Sequence, residues 1–555
     1  MIRDDLAKLV HKAIRKAQRR GDLPKFEIPE IPMERPKQEV HGDFATPVCL
    51  QLARLARMAP TQIADTVVRR LSQTDYLGHV EVAKPGYINF TLSKSWLAQQ
   101  VQDILGAGEG YGSIDLGKGR KIQVEFVSAN PTGPLHVGSA RNAVIGDVLA
   151  NVLEAAGWNV QREYYVNDAG TQMGLFGETL YARYAQALGR DVPLPEDGYQ
   201  GAYMVDMAQR AAEEHGSEFL HHEREQAVTA LLDIGLGYAL EAGRQDLELM
   251  GVRFDRWFSE RSLYEGGTFA RVMTLLRERD HIAEREGAVW FMATALGQDK
   301  DEVIIRTSGA PGYFASDIAY HYDKFVGRGF DRVINVWGAD HQGHVPRMKA
   351  IMEAMGLDPE RLVIIIYQLV TLRRGGEVVR LSRRTGDIVT LREVVEEVGA
   401  DAVRFFLVSR AAESQMDFDL DLAKEQSNEN PVYYVQYAHA RISSILRLAE
   451  EQGLISDDGD VVLLTHPMEL GLIRQMLRLS EVIELAATHL APHHLAPYAQ
   501  ELASRFHVFY RDCRVVSSDP AEHRLTMARL KLVRAAQLVF ARTLHLMGMT
   551  APVQM

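Results

Sequence analysis

Strand-like and helical segments alternate between residues 121 and 372, and this alternation limits the possible fold more than any other feature of the sequence. Five segments have the composition of buried strands: KIQVEFVSA (121–129), NVQREYYVND (159–168), DEVIIRTSG (301–309), DRVINVWGAD (331–340) and RLVIIIYQLVTL (361–372). Strands that alternate with helices pair in parallel, and the helices cover the sheet. We therefore predict an α/β core on a parallel sheet, with a long helical insertion at about 172–290 between the second and third strands.

The regions on either side of this core follow other patterns. The N-terminal region begins with a basic amphipathic helix, continues through a short sheet and ends in a glycine-rich linker at 106–121. After about residue 425, apolar residues recur at helical spacing and strand patterns disappear. The sequence predicts a small α+β domain at 1–114, the α/β core at 115–425 and an all-α bundle at 426–555.

Composition and charge narrow the class of protein. A chain of 555 residues exceeds what one hydrophobic core supports. The net charge of −12 argues against a generally basic nucleic-acid-binding protein, so a polyanion would have to meet local basic patches, of which the helix at 7–20 is one candidate. Cys49 and Cys513 lack the spacing of a disulfide framework or a zinc site. The apolar run at 362–372 is too short to span a membrane, so we expect a cytoplasmic protein without a membrane partner.

The turn SANPTGPLHVGS (128–139) lies between the first strand and a helix, where a parallel sheet binds its ligands. The N-terminus of such a helix attracts phosphate groups. Gly133 and Gly138 allow the backbone to approach a ligand closely, and His136 can donate a hydrogen bond to a phosphate oxygen. Taken alone, a histidine in such a pattern is more often structural than functional, so His136 depends on its context. The sequence contains neither a P-loop nor a convincing GxGxxG, so a nucleotide site would be of another kind.

Two motifs stand in the places of the paired signatures of class I aminoacyl-tRNA synthetases. HVGS (136–139) resembles the HIGH motif, and RLSRR (380–384) resembles the KMSKS loop. Further segments together resemble the arginyl-tRNA synthetase family over nearly the whole chain: VEFVSANPTGPLHVGSARN (124–142), FSERSLY (258–264), PGYFASDIAYH (311–321), VWGADHQGHVPRMKA (336–350) and NPVYYVQYAHAR (430–441).

The resemblance implies an activity and a set of partners. The activity is the ATP-dependent attachment of L-arginine to tRNA(Arg) through arginyl-adenylate, on a Rossmann-type catalytic domain. The N-terminal domain would bind the tRNA elbow, and the helical bundle would bind the anticodon loop. ATP would bring Mg²⁺ with it, no permanent metal is expected, and relatives are commonly monomers.

The permanent charge of an arginine side chain requires carboxylates in its pocket. Glu125 and Asp317 are the candidates, although Asp317 could also be an ordinary helix N-cap and Glu125 a structural buried carboxylate. The resemblance implies the arginine-binding residues Glu125, Ser128, Asn130, Tyr313, Asp317 and His341, with Ser128 and Asn130 at the amino and carboxylate ends of the substrate.

The resemblance also implies the residues that bind ATP and assist catalysis. The ATP-binding residues are Pro131, Thr132, Gly133, His136, Gly138, Ser139, Gly338, Asp340, His341, Arg380 and Arg383. The catalytic residues are His136, Ser139, Ser382 and Arg383. Two positions depart from the family pattern: Ser139 replaces a histidine, and arginines replace the lysines of the KMSKS loop. Arginine can still clamp phosphates, although it does not substitute freely for lysine.

Aromatic residues of the C-terminal bundle are candidates for stacking on unpaired tRNA bases. Tyr437, Tyr510 and Met555 are assigned to tRNA binding on this basis, although helical spacing alone would make most tyrosines of the bundle core residues. Two other functions stay open: a non-catalytic tRNA-binding paralogue, which the altered RLSRR loop and Ser139 suggest, and a class I synthetase for another amino acid.

Overall fold

In this computed structural model, the structure describes residues 1–379, 389–454 and 458–555. The strands are β1 (Phe44–Thr46), β2 (Leu77–Ala83), β3 (Tyr87–Leu92), β4 (Lys121–Glu125), β5 (Asn159–Val166), β6 (Arg256–Ser259), β7 (Ile282–Arg285), β8 (Ala288–Phe291), β9 (Glu302–Ile305), β10 (Arg332–Gly338), β11 (Leu362–Tyr367), β12 (Val370–Arg374), β13 (Glu377–Val378) and β14 (Met416–Asp419).

The helices account for most of the remaining chain. They are α1 (Ile2–Arg20), α2 (Val48–Ala56), α3 (Pro60–Arg70), α4 (Lys94–Ala107), α5 (Val137–Ala155), α6 (Thr171–Ala187), α7 (Ala202–His215), α8 (Arg224–Leu249), α9 (Arg261–Glu265), α10 (Thr268–Glu278), α11 (Tyr313–Tyr322), α12 (Val345–Ala354), α13 (Leu391–Val398), α14 (Ala400–Val408), α15 (Leu420–Lys424), α16 (Pro431–Glu451), α17 (Pro467–Leu477), α18 (Leu479–His489), α19 (Leu495–Asp512) and α20 (His523–Leu546). Within the described residues, no helix is both long enough and apolar enough to cross a membrane.

The N-terminal region is an α+β unit, as the sequence predicts. Its antiparallel sheet has the order β1-β3-β2, and α1 buries Leu6, Val10 and Ile14, which recur every four residues on one helical face. The unit is attached to the C-terminal bundle by ion pairs. Arg35 forms two hydrogen bonds of 2.8 Å with Glu481, and Arg474 lies 2.5 Å from Asp43.

The central sheet is parallel and has the order β11-β10-β4-β5-β6. Of the five segments predicted to form this sheet, four contribute its strands β4, β5, β10 and β11, but the assignment of DEVIIRTSG is wrong. Strand β9 in that segment pairs antiparallel with β8, in a separate sheet of order β7-β8-β9. Only Ile304 of β9 is buried, whereas a central parallel strand is covered on both faces.

Strand β6 lies within the stretch expected to be a helical insertion, yet it forms the edge of the central sheet. It is four residues long and buries only Phe258, so its periodicity is too weak to be read from the sequence. Helices α6, α7 and α8 precede it and pack against one another around a small core of their own. The segment RLVIIIYQLVTL is divided between β11 of the central sheet and β12 of a fourth sheet, of order β13-β12-β14. Helices α16–α20 form the C-terminal bundle.

Candidate active site

The turn that follows β4 leaves the sheet sharply. Val127 and Ser128 both have positive φ angles, of 65° and 42°, which are uncommon for residues other than glycine. Hydrogen bonds hold this backbone: the Val127 N–H donates to Asn142 Oδ1 at 2.8 Å, and the Tyr165 N–H donates to Ser128 Oγ at 3.1 Å. The Ser128 hydroxyl in turn donates to Glu125 Oε1 at 3.1 Å. Such strain persists only where the surroundings impose it, as they do at binding sites.

Two tyrosines support the outer part of this turn. Tyr164 on β5 donates to the Ala129 carbonyl at 2.8 Å, and Tyr203 on α7 donates to the Thr132 carbonyl at 2.7 Å. A Cβ atom added to Gly133 would lie 3.4 Å from the ring of Tyr203. The helical insertion is therefore in direct contact with the turn at Thr132 and Gly133. Asn130 is also engaged, because its Nδ2 donates to Gln172 Oε1 at 3.0 Å, and Pro131 is buried.

Helix α5 begins directly after the turn. His136 is its N-cap, and its Nδ1 accepts a hydrogen bond from the Gly138 N–H at 3.1 Å. In the neutral ring the proton is therefore assigned to Nε2. His136 is exposed and Ser139 is buried. A Cβ atom on Gly138 would lie only 2.8 Å from the ring of His136, so the cap geometry requires glycine there. The first turn of α5 presents main-chain N–H groups beside an exposed imidazole, which suits an anionic ligand.

Helix α11 places Asp317 beside the turn. Gly312 is the N-cap of this helix, so Asp317 is not a cap but lies on its second turn. Burial raises the pKa of Asp317 to about 7, and the neighbouring carboxylates of Glu125 and Glu260 act in the same direction. Tyr313 is the first residue of α11, and its side chain lies outside the described part of the chain. The charge of Glu125 therefore acts on the carboxyl of Asp317.

Sequence reasoning missed two charged residues of this region. Lys324 is fully buried and donates to Glu125 Oε2 at 2.5 Å. Its position seven residues after Asp317 places it on the same helical face, which was the available signal. Glu260 is 9% exposed, and burial raises its pKa, against the opposing hydrogen bonds from Ser316 and Tyr165. It lies in the FSERSLY segment, but nothing in that pattern sets its carboxylate apart from an ordinary surface glutamate.

Gly338 closes β10 at the same edge of the sheet as Glu125, because β10 is paired with β4. A short 3₁₀ turn, Ala339–His344, follows it. Asp340 and His341 in this turn are exposed, and 3.6 Å separates Asp340 Oδ2 from His341 Nε2. The turn therefore places the polar side chains of Asp340 and His341 at the same edge of the sheet as residues 128–139. Arg380, Ser382 and Arg383 of the predicted phosphate-binding loop lie outside the described residues.

The residues assigned to tRNA lie in the bundle, away from this edge. Arg441 packs against both Tyr437 and Tyr510, with its guanidinium 4.9 Å from the centre of each ring. Tyr433 stacks on Tyr437 with ring centres 5.7 Å apart. Met555 is exposed and lines a surface cavity together with Tyr433. Tyr437 and Tyr510 thus share one cation, and Met555 is linked to them only through the cavity that Tyr433 also lines.

Family models match three consecutive parts of the chain: the arginyl tRNA synthetase N-terminal domain at residues 4–92, the class I (R) tRNA synthetase catalytic domain at 100–442 and the DALR anticodon binding domain at 435–555. The chain is 53% identical to the arginine–tRNA ligase of Dehalococcoides mccartyi over 100% of its own length and 99% of that protein. It is 49% identical to that of Heliobacterium modesticaldum over 100% and 99% of the two chains.

A solved structure agrees with these relatives. The crystal structure of a putative arginyl-tRNA synthetase from Campylobacter jejuni superposes with a TM-score of 0.76 at 35% identity. It covers 84% of this chain and 100% of its own.

Proposed function

The chain belongs to the arginyl-tRNA synthetase family and attaches arginine to tRNA(Arg), and we propose that it does so through an arginyl-adenylate formed at the turn between β4 and α5. The observation that supports this mechanism is that the charge of Glu125, at the end of β4, acts on the buried carboxyl of Asp317, while the turn after β4 leads into the N-terminus of α5. Carboxylates suit the cationic end of arginine, and the helix N-terminus suits the phosphates of ATP.

The arginine side chain would lie between the carboxylates of Glu125 and Asp317, with Tyr313 beside it. A guanidinium stays charged and has a planar array of donors, so two carboxylates at an angle recognise it better than one. The amino and carboxylate groups of the substrate would be held by Ser128, Asn130 and His341. Support comes from the turn itself, which is held in place because Asn142 accepts a hydrogen bond from it and Tyr165 and Tyr164 donate hydrogen bonds to it.

ATP would bind along the remaining part of the same edge. Pro131, Thr132, Gly133, His136, Gly138 and Ser139 would contact its phosphates, and Gly338, Asp340 and His341 would approach the adenosine. Arg380 and Arg383 would also bind ATP, and Ser382 and Arg383 would assist catalysis. Mg²⁺ would enter as part of the ATP complex, held by phosphate oxygens.

Two displacement steps complete the reaction. An oxygen of the arginine carboxylate attacks the α-phosphorus of ATP, and the bond to the leaving pyrophosphate breaks. The 2′-hydroxyl of the terminal adenosine of tRNA then attacks the acyl carbon, loses its proton, and releases AMP. Neither step requires a side-chain nucleophile. His136, Arg383 and the N–H groups of α5 would stabilise the charge that develops on the phosphates, and positioning would supply the rest.

The flanking regions would hold the tRNA. Residues 1–114 would contact its elbow and residues 426–555 its anticodon loop, with 115–425 as the catalytic domain. Tyr437, Tyr510 and Met555 would meet the unpaired bases. We propose that the enzyme acts as a monomer, because one chain supplies every residue that the mechanism uses. We also propose that it acts in the cytoplasm.

The substitution Asp317→Asn tests the pocket. It removes a charge next to the guanidinium, so the arginine KM should rise strongly while the ATP KM changes little. A matched control is Asp331→Asn at the opposite end of β4, where Asp331 accepts the Lys121 N–H at 2.8 Å. The control should leave the arginine KM unchanged. An unchanged arginine KM in Asp317→Asn would remove Asp317 from the pocket.

A further inference from the structure

A row of polar residues crosses the central sheet beneath the proposed arginine pocket. Glu125 on β4 is aligned with Glu163 on β5 and with Asn335 on β10. Because side chains alternate between the two faces of a strand, the three aligned residues lie on the same face. All three are buried, with exposures of 6%, 0% and 0%. Buried carboxylates are costly unless they are paired, so this face requires cations from the element that covers it.

That element is α11 with its continuation, a π-helical turn at Asp323–Gly327. Lys324 in this turn donates to Glu125 Oε2 at 2.5 Å and to Asn335 Oδ1 at 3.0 Å. Its ammonium also lies 4.0 Å from the ring centre of Tyr320. A π-helical turn redirects side chains relative to a regular helix and is frequent at functional sites. Here the turn carries a fully buried cation against a pocket carboxylate.

In each hydrogen bond around Lys324, the chemistry of the two atoms determines which one donates. His321 Nδ1 lies 2.8 Å from the carbonyl oxygen of Asp317, so Nδ1 is the donor. The Nε2 atom of this neutral ring then accepts from Asn335 Nδ2 at 3.0 Å, which leaves Asn335 Oδ1 to accept from Lys324. Burial and the charge of Lys324 hold the pKa of His321 well below its ordinary value, in agreement with a neutral ring. One chain of hydrogen bonds therefore connects the main chain of Asp317 to the carboxylate of Glu125.

The other carboxylate of this row, Glu163, has partners of its own, so Lys324 and Glu125 form a separate pair. On β5, Glu163 is paired with Arg328, whose Nη2 donates to Glu163 Oε1 at 3.0 Å. Tyr320 on α11 also donates to Glu163 Oε1, at 2.5 Å. Glu163 thus has its own cation and its own hydroxyl donor, and the ammonium of Lys324 is directed at Glu125.

From this geometry we propose that Lys324 is a positioning residue for arginine recognition, which pairs with the Glu125 carboxylate and fixes its orientation. The inference rests on the proposed arginine pocket. Glu125 and Glu260 raise the pKa of Asp317 and Lys324 lowers it, so Lys324 compensates the carboxylates of this region while the substrate is absent. Lys324 occupies one oxygen of Glu125 and the Ser128 hydroxyl the other, so the carboxylate is held at both ends.

The test is arginine-dependent pyrophosphate exchange by the full-length enzyme with tRNA present, measured for Lys324→Gln and Lys324→Arg. Glutamine keeps a donor but removes the charge, so the arginine KM should rise at least about tenfold while the ATP KM stays unchanged. The pH midpoint of the arginine KM should also move upward, because the cation that favours ionised carboxylates is gone. Arginine at this position keeps the charge and should restore the KM to within a few-fold. A matched control is Lys349→Met, which removes a lysine whose Nζ donates to the Pro359 and Leu362 carbonyls at 2.5 and 2.8 Å, outside the pocket.

Two further variants separate the possible results. If Glu125→Gln leaves the arginine KM unchanged, the pocket assignment itself fails. If Glu125→Gln raises the KM, but Lys324→Gln folds and leaves both the KM and the pH midpoint unchanged, only the role of Lys324 is overturned. Should Lys324→Gln not fold, Asn335→Ala decides, because it removes the acceptor that orients Lys324 while keeping the charge. The arginine KM of Asn335→Ala should then rise several-fold, and an unchanged value would overturn the inference.

Discussion

The hydroxyl of Tyr203, on helix α7 of the insertion, donates a hydrogen bond to the carbonyl oxygen of Thr132, 2.7 Å away in the turn between β4 and α5. The two residues are 71 positions apart in the chain. Through this bond the insertion takes part in holding the backbone that is proposed to contact the phosphates of ATP.

Replacing Tyr203 with Phe should therefore weaken ATP use. Loss of one such hydrogen bond costs about 0.5–1.5 kcal/mol, which corresponds to an increase of about 2- to 12-fold in the ATP KM. The measurement is pyrophosphate exchange against ATP concentration. Tyr184→Phe is the matched control, because Tyr184 in the same insertion donates to the Gly216 carbonyl at 2.6 Å, away from the turn. Equal ATP KM values for the two variants would show that the bond to Thr132 does not matter.

Arginine use should depend on pH near neutrality. The carboxyl of Asp317 has a pKa raised to about 7 by burial and by Glu125 and Glu260, and Lys324 opposes this shift. Arginine requires the ionised form, so kcat/KM for arginine should fall as the pH drops through about 7, by about tenfold between about pH 8 and 6. In Asp317→Asn this decline should be lost. A decline of equal size in Asp317→Asn would assign it to another group.

A buried arginine joins three parts of the chain. Arg404 on α14 donates to the carbonyls of Met547 and Met250, at 2.8 Å each, and its Nη2 is bonded to the carboxylate of Asp147 on α5. Removing one partner of a buried ion pair costs about 3–5 kcal/mol. Arg404→Met should accordingly lower the urea midpoint of unfolding substantially, and adding Asp147→Leu should recover part of the loss. Arg210→Met, which breaks an exposed pair with Glu214, should shift the midpoint little. Equal shifts in the two single variants would contradict the assignment of Arg404 to the core.

Tyr437 and Tyr510 flank Arg441 in the bundle. Base stacking on an aromatic side chain contributes about 1–3 kcal/mol per base, so Tyr437→Ala should raise the tRNA KM by about 5- to 150-fold. The arginine KM, measured at saturating tRNA, serves as the internal control and should not change. A tRNA KM equal to that of the wild type would exclude Tyr437 from the contact with tRNA.

The parts of the site that follow from local patterns could be predicted from the sequence. The turn at 128–139 and helix α5 depend on spacing along short segments, whereas the assignment of Glu125 and Asp317 to one pocket rests on the resemblance and stays a prediction. The contact of Lys324 with Glu125 could not be predicted in this way, because 199 residues separate the partners and their meeting depends on how α11 lies across the sheet.

The assignment of strands from the sequence was limited for the same reason, because the partner of a strand can lie far away in the chain. An apolar run such as that of β9 is equally suitable for a small antiparallel sheet and for the central sheet. The short edge strand β6 is recognisable only once its partner β5 is in place.

Pyrophosphate exchange shows whether this chain activates arginine at the turn between β4 and α5. The assay uses arginine, lysine and glutamine in turn, each with and without tRNA(Arg), on the wild-type enzyme and on Asp317→Asn. Of the three amino acids, we expect only arginine to support exchange, and only when tRNA is bound. The arginine KM should rise strongly in Asp317→Asn. Exchange with lysine or glutamine but not with arginine would contradict the specificity, and no exchange in any condition despite intact tRNA binding would identify a non-catalytic tRNA-binding protein.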